Sequence, residues 1–156
     1  MKYTIHAILF LEKDIVDVIH EYKELSFLAI AIANTDFIPL LRNRSENFTF
    51  FAPYIRDTIK YKDHRDAIMN DKEKTFEILS RHIVVGHGAL TTDQIGNDTE
   101  NMMTIDRNED SYIVIEKHDN DIITVIDRKG FNEERTIVKR DIHVSNGVLH
   151  IIDGVL

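Results

Sequence analysis

The stretch Ser145–Leu156, SNGVLHIIDGVL, restricts the fold more than any other part of the chain. Asn146-Gly147 stands between two β-prone apolar runs, Ile142-His143-Val144 and Val148–Ile152. Asn and Gly tolerate positive φ, so this spacing predicts an antiparallel hairpin with a type I′ turn at Asn146-Gly147. Side chains alternate along a strand. Val148, His150 and Ile152 therefore share one face, and Leu149 and Ile151 the other. Asp153 is placed to hydrogen-bond backbone or to cap a neighbouring element.

The rest of the chain divides into a helical first part and a strand-rich second part. Ile15, Val18, Ile19 and Tyr22 recur at helical spacing, as do Leu25, Leu28, Ala29 and Ile32. Asp14 is the expected cap of the first helix. Phe37–Leu41 reads as a short apolar helix or turn, 54–61 as a short helix, and 63–80 as one or two helices with a solvated face. Phe48, Phe50 and Ala52 alternate with Thr49 and Phe51, which predicts a strand that Pro53 ends. His82–Gly86 reads as a short strand. Residues 111–117 and 121–127 predict a hairpin about His118-Asp119-Asn120, with a turn at 127–130 and a further strand over 135–139. Helices first and strands later imply an α+β fold.

The chain has 156 residues, enough for one domain with a real core. It carries 27 acidic and 19 basic residues, a net charge of −8, which disfavours a phosphate backbone as partner. It has no cysteine, which excludes disulfides, thiolate catalysis and cysteine-type zinc sites. The run Ala7–Leu11 is too short for a secretory leader, and no segment reaches the ~20 apolar residues of a membrane helix.

Three blocks, in order, resemble those of the fasciclin domain family. FTFFAP at Phe48–Pro53 resembles the family's T-x-F-A-P block. LSRHIVVG at Leu79–Gly86 resembles L-x-Y-H-V-V-x-G, and the closing stretch resembles S-N-G-x-I-H-x-I-D-x-V-L. The segments 14–18, 25–28 and 89–93 resemble the intervening ones. The resemblance implies a β-sheet wedge with N-terminal and mid-chain helices packed against it. Residues 1–12 are then an N-terminal extension and 13–156 a single domain. It further implies a non-enzymatic, secreted or cell-surface module for adhesion or matrix and protein partners. With no leader recognised, a cytoplasmic location stays open. The resemblance makes Arg81-His82 the candidate partner-binding pair, with Arg81 where the family has Tyr. Phe48, Thr49, Phe51, Ala52, Pro53, Asn146, Gly147, His150 and Asp153 become structural motif residues. Tyr54-Ile55-Arg56-Asp57 replaces the polar residues that usually follow the F-A-P turn.

Candidate chemistry is sparse. Eight histidines are present, with His82 and His87 five apart and His143 and His150 flanking the last hairpin. None falls in an H-E-x-x-H or H-x-H pattern, so core or surface roles are expected and no metal or other cofactor is assigned. Gly86-His87-Gly88 lacks the Lys-Ser/Thr of a phosphate loop, and no G-x-S-x-G elbow occurs. Asp119, Asn120 and Asp121 do not follow the calcium-loop pattern. No catalytic residue is named. Asn43, Asn47 and Asn97 begin N-x-S/T sequons, which mark glycan sites only in a secreted eukaryotic protein. The rival reading is a carrier in which Leu25–Ala33 and Phe48–Ala52 line an apolar pocket rather than a sealed core.

Overall fold

The computed structural model describes residues 13–56, 62–96, 100–106 and 112–156. Asp14 starts helix α1 (Ile15–Glu21) with a capping box. Its Oδ1 accepts from Asp17 N at 2.9 Å, and Asp17 Oδ2 accepts from Asp14 N at 3.1 Å. Tyr22 is extended and breaks the helix, and a 3₁₀ turn at Lys23–Leu25 leads into α2 (Ser26–Ala33). Helix α3 (Phe37–Leu41) follows. Arg42, just past it, donates to Asp14 Oδ2 at 2.8 Å and Asp17 Oδ1 at 3.1 Å, tying the end of α3 to the start of α1.

Strand β1 (Phe48–Pro53) is buried at every position. Helices α4 (Lys62–Met69) and α5 (Lys72–Ser80) come next, with Asp71 capping α5 through bonds from Glu73 N and Lys74 N. The remaining strands are β2 (Ile83–Val84), β3 (Glu100–Met103), β4 (Tyr112–Lys117), β5 (Ile123–Ile126), β6 (Glu134–Val144) and β7 (Gly147–Ile152). The described strands form one seven-stranded sheet in the order β2-β1-β7-β6-β5-β4-β3. The β1–β7 pair is parallel and every other pair is antiparallel. The outer strands then meet. Val84 bridges Thr104, Val85 N donates to Met103 O and Ile105 N to Ile83 O. The sheet is thus a nearly closed wedge, which removes most of its free edge.

Each face of the sheet has its own core. Phe48, Phe50, Ala52, Leu149 and Ile151 pack with α1–α3 and with Ile68, Ile78 and Leu79 of the mid-chain helices. Phe51 and Ile152 point the other way, into an apolar interior with Ile113, Ile115, Ile123 and Val125. The alternation in the sequence therefore divides β1 and β7 between two cores, giving the expected α+β wedge. Leu25, Leu28, Ile32, Phe48 and Phe50 all lie in the helix-side core. That is the sealed-core arrangement of the segments a carrier would need to line a pocket.

Several elements depart from the sequence expectations. The final hairpin forms, but its two-residue loop is Ser145-Asn146, because Val144 pairs with Gly147. Neither loop residue has positive φ, so the expected type I′ turn at Asn146-Gly147 is not what closes it. Strand β6 runs unbroken from Glu134 to Val144, where separate strands over 135–139 and 142–144 were expected. A register shift between Lys139 and Ile142 accounts for the apparent break, with Asp141 at φ 59°. Strand β2 is shorter than His82–Gly86 because Gly86 and Gly88, at φ 84° and 64°, turn the chain away. Tyr54–Arg56 are not helical, and the remainder of the expected helix over 54–61 lies outside the described residues. So do the 1–12 extension and the Asn97 sequon. Strand β3, ENMM, carries no β-branched residue and gave no sequence signal.

Candidate functional site

The motif residues of the closing block hold backbone to backbone. Asn146 is fully buried. Its Oδ1 accepts from Ile15 N at 3.1 Å, and its Nδ2 donates to Leu41 O at 2.5 Å and Asn43 O at 3.5 Å. One side chain thus joins the start of α1 and the end of α3 to the last hairpin. Gly147 has φ 154° and lies against β1, where an added Cβ would sit 2.0 Å from Phe48 O. Asp153 Oδ1 accepts from Thr136 N at 2.9 Å, while Asp153 N donates to Thr136 O.

His150 Nε2 donates to Leu90 O at 2.8 Å, and its Nδ1 accepts from Asp141 N at 3.0 Å. Its ring stacks on Phe51 at 5.5 Å. Burial lowers its pKa, opposed by the bond to Leu90 and the charge of Asp141. Burial tends to raise the pKa of Asp141, but bonds from the Thr92 hydroxyl (2.5 Å) and N–H (2.7 Å) win and hold it low. The imidazole Nδ1 is hydrogen-bonded by the backbone N–H of Asp141, and Asp141 Oδ1 stands 3.9 Å from it, in charge contact but beyond hydrogen-bond distance. In the first block Thr49 Oγ1 donates to Gly88 O at 2.6 Å and accepts from Leu90 N at 2.9 Å. Pro53 pairs with Ile152, and Tyr54 N donates to Ile152 O. Ala52 is buried against the helix-side core.

Arg81 and His82, the expected partner-binding pair, are turned inward. His82 is fully buried. Its Nδ1 donates to Ile78 O at 2.9 Å, leaving Nε2 to accept from Leu156 N at 3.1 Å. Burial pushes its pKa down to about 3. The bond to Ile78 resists, and the nearby charges of Arg81 and Arg135 add to the lowering. Arg81 Nε lies 2.6 Å from Asp127 Oδ2, both side chains being buried. They meet as charges in contact, with the N–H off the line to the oxygen. Arg81 Nη1 also reaches Glu77 Oε1 at 3.4 Å. Arg135 completes this corner by donating from Nε to Val155 O at 2.8 Å. As it stands, the His82 ring offers a partner no surface. Sequence reasoning placed these residues in a contact block and gave no sign that Asp127, 46 positions along the chain, would draw Arg81 inside.

An open cleft of about 320 Å³ lies over that corner. Lys74 and Glu77 bound it from α5, Arg81 from just past that helix, Asp63 from α4, and Lys129 and Phe131 from the β5–β6 turn. It combines both signs of charge with an aromatic edge. The sequence gave no signal for the cleft, because its walls come from segments about 50 residues apart. A further group of polar side chains, Glu116, His118 and Glu134, converges on the outward face of β4–β6. His82 and His150 spend both ring nitrogens on backbone groups, so neither joins a metal site with His87 or His143. At the β4–β5 tip, Asp121 pairs with Arg140 at 3.1 Å and Lys117 at 3.6 Å. Asn43 accepts from Ser45 N and Oγ, and Asn47 is exposed immediately before β1.

The comparisons agree with this architecture. No curated protein matches the sequence significantly. A solved structure described as a FAS1 domain pair from the insect cell adhesion molecule Fasciclin I superposes with a TM-score of 0.71 at 17% identity. The match covers 92% of this chain and 50% of that one, so the chain spans about half the length of that structure. The family model of the fasciclin domain matches residues 23–156, taking in all three blocks. The chain belongs to the fasciclin domain family.

Proposed function

We propose that residues 13–156 act as a single interaction module, with 1–12 as an extension, and that the module binds a protein or matrix partner without catalysis. The observation that carries this is the cleft beside Arg81. It is open, lined by charges of both signs and edged by Phe131, which suits the polar rim of a contact surface beside an aromatic rather than a sealed pocket. The fasciclin domain is known as a cell adhesion module, and the solved relative is itself a cell adhesion molecule. The same family membership supports a secreted or cell-surface location. No helix among the described residues is long and apolar enough to cross a membrane.

The pair Arg81-His82 enters this reading as support rather than contact. Arg81 fixes the floor of the cleft through Asp127, and exposed Lys74, Glu77 and Lys129 meet the partner. Complementary charges of this kind set association rate and selectivity. The test is retention of cells or matrix on a surface carrying the immobilised domain. Retention that falls on adding salt is expected. A correctly folded domain that retains nothing would end the reading.

A further inference from the structure

Glu116, His118 and Glu134 lie on the outer side of the wedge, and none of them lines the cleft. Glu116 on β4 stands opposite Thr124 of β5, and Thr124 stands opposite Thr136 of β6. His118 follows Glu116 by two residues on the same face, and Glu134 begins β6. Ile115, Val125 and Ile137 of the same strands fill the interior, so the polar trio projects outward. Neighbouring strands are about 4.8 Å apart, which puts β4 and β6 roughly 10 Å from each other across β5. The central strand supplies the short side chain of Thr124 at that point, and the two glutamates reach over it. One ligand atom from each of Glu116, His118 and Glu134 lies within 4.8 Å of the others. His118 Nε2 is 3.9 Å from Glu134 Oε1 and 3.0 Å from Thr124 Oγ1.

Among the described residues no lysine or arginine pairs with Glu116 or Glu134. Lys117, beside Glu116 in sequence, reaches Asp121 instead. Among the described residues, two carboxylates and an imidazole thus converge with no lysine or arginine between them.

We propose that Glu116, His118 and Glu134 form a surface site for a divalent transition-metal ion of the zinc class. One imidazole nitrogen with two carboxylate oxygens is a zinc-type donor set, three protein ligands with a position left for water. Calcium needs six to eight oxygens and finds too few here. Ligand bonds of about 2.0–2.2 Å require the three atoms to draw closer than they now stand. Exposed glutamates can do this by rotamer change alone. Nε2 would then exchange the Thr124 hydroxyl for the ion.

The test is calorimetric titration of the full chain with zinc chloride near neutral pH, with calcium chloride in parallel. One zinc per chain and no calcium binding are expected. His118→Ala and Glu116→Gln should each weaken zinc binding at least about 10-fold, the smallest loss that removing even an outer partner of a ligand brings. His143→Ala, at another exposed histidine, should leave it unchanged. All three positions are exposed or half-exposed, and equal urea midpoints would confirm that the variants fold. Absence of zinc heat, calcium binding as tight as zinc, or unchanged affinity in both site variants would overturn the proposal.

Discussion

His82 shows how a single motif residue is committed to the fold. Both ring nitrogens are in use, one on Ile78 and one on Leu156, and only the neutral ring can serve both. Its pKa falls from an ordinary 6.5 to about 3. A depressed folded-state value means that the stabilisation is complete above pH 6.5. Below that the unfolded chain takes up a proton that the folded one refuses, so stability drains away between pH 6.5 and about 3. Burial acts on His150 in the same direction. Urea unfolding from pH 7.5 to 4.5 should therefore show falling stability, with a shallower fall in His82→Gln. His82→Ala should cost about 3 kcal/mol at pH 7.5, from the cavity and from two backbone groups left unpaired. Equal pH slopes in wild type and His82→Gln would contradict the assignment. Gly147 gives a second case. A Cβ there would occupy the position of Phe48 O, so Gly147→Ala should cost more than about 4 kcal/mol or abolish folding, read as soluble yield and urea midpoint.

At the scale of elements, the join between α5 and the β5–β6 turn rests on Arg81 and Asp127. Both charges are buried, and removing one strands the other. Arg81→Ala should cost about 3–5 kcal/mol. The double variant Arg81→Met/Asp127→Asn should cost less than the sum of its single changes, a coupling that a double-mutant cycle reads directly. Additive costs would mean that the two groups do not sense each other. The strands tell a related story about what a sequence reveals. The near-continuous apolar runs in 48–53 and 148–152 were legible because burial on two opposed cores demands apolar side chains at both phases. Strand β3 was not legible. Glu100-Asn101-Met102-Met103 buries Met102, and its strand state comes from pairing with β4 rather than from its own propensity. The hairpin at 145–146 was legible as a hairpin but not as a turn type. Asn146 is there for its side-chain bonds to α1 and α3, and Gly147 is there to let β1 approach.

Over the whole molecule, the family blocks and the proposed contact surface are different things. The blocks at 48–53, 79–86 and 145–156 meet at the centre, where β1 and β7 run parallel and His82, Asn146 and His150 bind backbone. Each block is a short contiguous run, so the family resemblance was readable from the chain even though bonds its residues make span 60 to 131 positions. The cleft over Arg81 and the trio on β4–β6 come from residues far apart in sequence and placed by topology alone, so no linear pattern announced either. This division also decides how binding must be tested. A variant at His82 lowers stability and would mimic a binding defect, whereas Lys74 and Lys129 are exposed and carry no buried partner. The most direct measurement is retention of cells or matrix on immobilised domain, run beside urea midpoints, for wild type, His82→Ala and Lys74→Glu/Lys129→Glu. The account predicts that the double charge reversal keeps the wild-type midpoint and loses most retention, while His82→Ala loses stability. Full retention by the charge-reversed domain would contradict it, placing the contact surface away from the cleft.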